Sequence, residues 1–175
     1  MSLKTLAFAA ISLLALTNPV GADDEPKRGG ILTYMIPADA PPSFDAHREE
    51  TYATIHSAAP FYSVLIRANP YDPGKTDDLV CDLCTAMPKP TDDGKIYTFK
   101  IREGVKFTGG SPLTAEDVAA SWNEIIFPPN GVISARQSNF VMVDKVEATD
   151  PTTVVFHLKF ATDAFLPALA DPYSW

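Results

Sequence analysis

Sixteen prolines in a chain of 175 residues limit what it can fold into more than any other feature. Each one fixes φ and removes a backbone donor, so it ends a helix or leaves the interior of a strand. Several are clustered, as in Pro41-Pro42, Pro88 with Pro90, and Pro128-Pro129, which predicts numerous ordered loops and excludes a bundle of long helices. Hydrophobic residues make up 46% of the sequence. At this length that supports about one domain with a packed core and leaves no room for a large multi-domain enzyme. The 22 acidic residues outnumber the 14 Lys and Arg, for a formal net charge of -8. Phosphate backbones attract proteins through clustered Lys and Arg, so neither nucleic acid nor an anionic lipid surface is an expected partner.

Lys4 precedes an uncharged apolar run over residues 6–16, followed by Asn18-Pro19 and the small residues Val20, Gly21 and Ala22. This is the layout of a secretory signal peptide over residues 1–22, with cleavage expected after Ala22. The run is too short for a membrane-spanning helix, which needs about 20 residues. A buried N-terminal helix is the competing reading, and the polar, acidic stretch beginning at Asp23 argues against it. No cysteine stands at the cleavage point, so a lipid anchor is not indicated. Residues 23–175 are expected as one periplasmic product, not inserted in the membrane once the signal is removed.

Gly29-Gly30 opens a β-like run over 31–36 that Pro37 and a Pro-rich loop terminate. Apolar spacing predicts a helix over about 48–66, interrupted at Pro60, and residues 69–78 read as a turn-rich connector. Over 96–102, Tyr97, Phe99 and Ile101 alternate with Thr98, Lys100 and Arg102, the pattern of a strand with one buried and one wet face. Thr114-Ala115-Glu116-Asp117 has the pattern of a capping box and predicts a helix from there to about Ile126, stopped by Pro128-Pro129. Two strands, 140–148 and 153–160, flank Asp150-Pro151 and predict an antiparallel hairpin, with Val154, Phe156, Leu158 and Phe160 on one face. Asp163 is positioned to cap a short helix ending near Leu169.

Chemistry-bearing motifs are few. Cys81-Asp82-Leu83-Cys84 is the one cysteine pair, and its spacing fits a disulfide, two free thiols or a redox dithiol. Zinc needs four ligands, and His47, His56 and His157 have no metal spacing. A catalytic dithiol wants an electropositive setting, whereas Asp77, Asp78 and Asp82 surround this one. Gly74-Lys75-Thr76 ends like a phosphate loop, but Asn69 stands where the first glycine belongs. Ser111 lacks the flanking glycine of a nucleophile elbow, and Pro112 removes the N–H such a site uses. Trp122 shares a helix face with Val118 and Ile125, which favours core packing over ligand stacking.

The stretch over 93–123, DGKIYTFKIREGVKFTGGSPLTAEDVAASWN, resembles the signature of the family-5 extracellular solute-binding proteins of ABC transporters, which include peptide- and nickel-binding proteins of bacteria. Gly29-Gly30-Ile31-Leu32, Ser43-Phe44-Asp45 and Leu79-Val80-Cys81-Asp82-Leu83 resemble further segments of that family. The signature is scaffold, a strand and a capped helix, and so identifies relatives rather than a ligand. The resemblance implies an α/β fold of the periplasmic-binding-protein type II kind, with a mixed sheet and two lobes that close on a solute. The solute, a peptide or another small molecule, would pass to the membrane permease of the transporter. Members of the family are far longer, so this chain is expected to be the N-terminal part of such a protein, with a fold that continues beyond it.

The resemblance places ligand contacts on three segments. Asp39, Ala40, Ser43 and Phe44 lie on the loop after the first strand; Arg136, Asn139 and Phe140 precede the hairpin; Tyr173 and Trp175, with Asp171, follow the last helix. Aromatic faces, amides and one guanidinium suit a peptide-like or anionic group. A monomeric, non-enzymatic binding component without cofactor or metal is the expectation. The competing readings are an exported thiol–disulfide oxidoreductase using Cys81 and Cys84, and an inactive fragment.

Overall fold

The computed structural model describes residues 28–72 and 74–171. The signal-peptide expectation for residues 1–22 lies outside the described residues. The chain divides into two compact units, Met1–Tyr34 and Met35–Trp175. In the first, residues 28–34 have no regular secondary structure, and Ile31 and Leu32 are 96% and 84% exposed. The strand expected over 31–36 is therefore not formed. A strand exists by pairing, and an apolar run alone cannot supply the partner.

The second unit carries every helix and strand among the described residues. Thr51 caps α1 (Tyr52–Ala58) by accepting the Thr54 N–H. This helix is shorter than the periodicity suggests, because Pro60 has no N–H to extend the ladder and residues 61–65 run on as an irregular segment. That segment feeds β1 (Ile66–Ala68), which pairs antiparallel with β2 (Leu79–Cys81) in the register Ile66 to Cys81. The expected connector over 69–78 is thus the loop of a hairpin. Asn69 clasps it, its N–H on the Asp78 carbonyl and its amide on the Asp78 carboxylate, both at 2.8 Å.

β3 (Ile96–Lys100) follows a turn in which Asp92, Asp93 and Gly94 all have positive φ, 50°, 50° and 85°. Tyr97, Phe99 and Ile101 are buried as the alternation requires. α2 (Ala115–Ile126) begins with a complete capping box: Thr114 Oγ1 accepts the Asp117 N–H, and the Asp117 carboxylate accepts the Thr114 N–H at 2.8 Å. It ends at Phe127, before Pro128-Pro129. After a short 3-10 helix, Gln137–Phe140, come β4 (Val143–Asp150) and β5 (Thr153–Leu158), joined by a tight turn in which the Asp150 carboxylate accepts from Thr152 N–H, Thr152 Oγ1 and Thr153 Oγ1. Those three donors hold the Asp150 carboxyl well below the usual carboxylate range.

β5 is the centre of a three-stranded sheet of order β3-β5-β4. The ladders among the described residues are all antiparallel, so the parallel component of a mixed sheet is not among them. α2 packs across β4 and β5. Phe156 sits at the middle of the core, with the rings of Phe99, Trp122 and Phe165 at 5.7, 5.8 and 5.4 Å. Its burial and these ring contacts together make it a principal anchor of the fold. Phe160, expected on the same buried face, is 52% exposed because β5 ends at Leu158. α3 (Phe165–Ala170) packs against β1 and has no side-chain cap of its own. The expected capping role of Asp163 is not realised: Thr162 Oγ1 instead accepts the Ala164 N–H at 3.2 Å. Asp163 lies near Tyr97, whose hydroxyl pKa is raised by burial first and by that carboxylate second.

Candidate functional site

A cleft of about 390 Å³ opens between α2 and residues 61–65. Its floor is the open side of the core, where Leu65, Leu83, Leu113, Val118, Trp122 and Ile125 come together. Phe61, Tyr62, Val105 and Phe107 stand around it, and Phe61 is 64% exposed. Polar groups edge the opening: Asp45, His47, Lys106, Asp117 and Ser121. His47 Nδ1 lies 3.8 Å from the Glu124 carboxylate on the next turn of α2. Trp122 is only 5% exposed and meets Phe140 and Phe156 edge-on, so it serves the core while also lining the cleft.

A shallower concavity lies where the loop over 37–42 meets the start of α1. Asp39 and Ala40 line it, opposite Glu50, Tyr52 and Ala53. The Tyr52 ring stacks on His56 at 5.3 Å. Ser43 and Phe44 lead from this concavity toward the cleft. The Ser43 carbonyl accepts from Thr54 Oγ1 at 3.0 Å, the Phe44 carbonyl accepts from the Tyr62 hydroxyl at 3.3 Å, and the Phe44 ring lies 6.3 Å from that of Phe61. Phe44 itself is 57% exposed.

Arg136 is fully buried, and its guanidinium donates to the carbonyls of Ala46 and, at 2.9 Å, Glu49. Burial pulls its pKa down, and the carboxylates of Glu50, Asp45 and Asp171 oppose that. Arg136 thereby ties the segment before the hairpin to the loop over 45–49, which directly follows the Asp39–Phe44 segment singled out from sequence. Asn139 is exposed, and its N–H donates to the Arg136 carbonyl. Phe140 lies in the core against Trp122. Asp171 is exposed at the end of α3, while Tyr173 and Trp175 lie outside the described residues.

Phe61, Tyr62 and Phe107 were not singled out as site residues from the sequence. The usable signal was Pro60, which ends α1 and leaves two adjacent aromatics in a loop. Cys81 and Cys84 form a disulfide with Cα atoms 5.1 Å apart, which selects one of the three readings of that pair. It closes the end of β2 and does not start a helix. Among the described residues no group of three or more His, Cys, Asp or Glu could hold a metal ion, and no helix is long and apolar enough to cross a membrane. The arrangement is suited to holding a molecule with apolar and hydrogen-bonding parts.

The model of bacterial extracellular solute-binding proteins, family 5 Middle, matches residues 78–175. The glutathione-binding protein GsiB of Escherichia coli strain K12 is 40% identical over 82 residues, which are 47% of this chain and 16% of that relative. Among solved structures, the binding protein MoaA of A. tumefaciens R10 in complex with mannopinic acid has a TM-score of 0.66 at 29% identity, covering 75% of this chain and 26% of that one. The oligopeptide-binding protein AppA of Bacillus subtilis in complex with a nonapeptide has a TM-score of 0.66 at 26% identity, covering 76% and 25%. The chain thus matches about a quarter of each solved protein and less of the curated relative.

Proposed function

The chain belongs to the family-5 bacterial extracellular solute-binding proteins, and from that premise we propose that it captures a short peptide or a peptide-like small solute for the membrane permease of an ABC transporter. The observation that carries this is the match of three quarters of the chain to a binding protein in complex with its solute, at a TM-score of 0.66 and 29% identity. The solved relatives in complex with a nonapeptide and with mannopinic acid share this scaffold, and a relative similar in sequence is named for glutathione, so the cargo differs among them. The scaffold therefore argues for the class of function, and side chains on it choose the solute.

In this reading the solute-facing surface runs from the Asp39–Ala40 concavity along Ser43 and Phe44 to the aromatic cleft. Asn139, Tyr173 and Trp175 are its further contacts. Arg136 serves from beneath by fixing the loop over 45–49, and Phe140 by backing Trp122. Its role in this reading is to bind the solute rather than to transform it. Residues 1–22 direct export and are removed after Ala22, and the mature protein acts in the periplasm as a monomer, with no cysteine at the cleavage point to carry a lipid anchor.

Titration calorimetry of the oxidised chain against glutathione, dipeptides, tripeptides, a nonapeptide and mannopinic acid tests the proposal. Saturable one-to-one binding of one class, weakened roughly tenfold by Phe44→Ala, is the expected result. Absence of heat for every compound with a folded chain overturns it. The intact mass of the periplasmic protein tests cleavage after Ala22.

A further inference from the structure

The two cysteines that solute binding leaves unused sit directly behind the cleft. Cys81 is partly exposed at the end of β2, whereas Cys84 is fully buried. Between them Asp82 and Leu83 form a short arch, and the cleft wall is attached to it. The Val64 N–H donates to the Asp82 carboxylate at 3.0 Å, and the Leu83 N–H donates to the Val64 carbonyl at 2.9 Å. The N–H groups of Asp82 and Cys84 both donate to the Leu65 carbonyl, at 3.0 and 3.3 Å. From the opposite side Arg102 gives its N–H to the Leu83 carbonyl at 2.9 Å and its Nε to the Asp82 carbonyl at 2.8 Å. Val64, Leu65 and Leu83 all line the cleft.

We propose that the Cys81–Cys84 disulfide is a redox-sensitive latch that holds this wall of the cleft in place; that the cleft receives solute rests on the function proposed above. Closing the arch lets two N–H groups, two residues apart, share one carbonyl, and it presents Leu83 to the cleft. Reduction returns conformational freedom to the arch. The shared Leu65 acceptor then loses donors, Val64 and Leu83 loosen together, and the wall opposite Trp122 gives way.

The reductant is an external dithiol. Its thiolate attacks Cys81 Sγ, the accessible sulfur, and the S–S bond breaks with its electron pair going to Cys84 Sγ, which takes up a proton. The second thiol of the reductant, as thiolate, then attacks its own sulfur in the mixed disulfide and expels Cys81 as a thiolate that is protonated in turn. The reductant leaves as a disulfide, two electrons poorer. Reoxidation reverses both steps.

Trp122 reports on the cleft, and Trp175→Phe makes it the sole tryptophan of the chain. Acrylamide quenching of this variant is measured oxidised and after dithiothreitol, with alkylation and intact mass counting the freed thiols. The quenching constant is expected to rise roughly twofold on reduction, to fall back on reoxidation, and to be raised permanently by Cys81→Ser with Cys84→Ser. Asp82→Ala, with its disulfide intact, is expected to reproduce part of the rise by releasing Val64. Unchanged quenching with both thiols free overturns the latch, and so does loss of the whole far-ultraviolet circular dichroism signal on reduction, which would make the bond a staple of the entire fold. No solute enters this measurement, so its outcome is separate from that of the calorimetry.

Discussion

Replacing Arg136 by Met isolates what one buried guanidinium contributes. The methionine keeps most of the unbranched stem and its packing, so the change is chiefly electrostatic. Hydrogen bonds from a charged donor contribute about 1.5–3 kcal/mol each, and Arg136 makes them to Ala46 and Glu49. Against this stands the cost of keeping the cation away from water, several kcal/mol before compensation. The asymmetry lies in the partners left behind. Ala46 is only 1% exposed, so its carbonyl loses a donor that water does not readily replace, whereas Glu49 is half-buried and can be rehydrated. One orphaned buried carbonyl costs about 1–3 kcal/mol, and a net loss of about 2 kcal/mol corresponds to about 4–8 °C in Tm for a domain of this size. Urea unfolding at constant m-value measures the global loss. Hydrogen exchange at the Arg48 and Glu49 amides, both bonded to the Asp45 carbonyl, measures the local one. Arg136→Lys should fall between, because a point charge cannot serve two carbonyls as a fork does. Wild-type stability together with unchanged exchange at both amides in Arg136→Met would refute the reasoning, since the burial cost would then cancel the bonds and the loop would hold itself.

Phe156→Ala should cost about 3–5 kcal/mol, the range for a fully buried aromatic, and a denaturant melt that moves by less than 1 kcal/mol would show that Phe99, Trp122 and Phe165 close the gap. Thr114→Ala should cost about 1 kcal/mol by removing one half of the capping box at the start of α2, with Thr114→Ser largely restoring it; thermal unfolding checks both. The Asp150 carboxyl is depressed in the folded chain by Thr153 and Thr152, so its stabilisation is present above the unfolded carboxylate value and is lost as pH falls toward the folded one. Urea midpoints measured from pH 6 downward should therefore drop less steeply below about pH 4 in Asp150→Asn than in the wild type, and parallel curves would contradict the assignment.

Where local chemistry determines structure, the sequence was a reliable guide. The Thr114–Asp117 box, the alternation of Tyr97, Phe99 and Ile101, and the Asp150-Pro151 turn each depend on residues within a few positions of one another, and each is found as expected. The misses are non-local. β1 and β2 have three residues each, too few for a period to show, and exist because they pair with one another. Residues 31–36 have the run of a strand without ladder bonds. Thr162 outcompetes Asp163 at α3 through one hydroxyl contact. Arg136 illustrates the same limit at the site: its type suggested a group that meets a ligand, and only the fold reveals that it is buried on the carbonyls of residues 90 and 87 positions earlier. Phe61 and Tyr62 read as the continuation of a helix and instead stand at the cleft because Pro60 turned the chain.

The order of strands in the larger sheet also sets an order in time. β4 and β5 meet across a tight turn, a contact that costs little closure entropy and forms on the scale of microseconds. β3 joins that hairpin only through β5, where Lys100 reaches Thr153 across 53 residues. Closing so long a loop is the slow, entropically opposed step. Because synthesis runs from the N-terminus, β3 emerges before its partner exists, and Tyr97, Phe99 and Ile101 wait in water until β5 has been made. That interval ends when the β4–β5 hairpin supplies the missing edge.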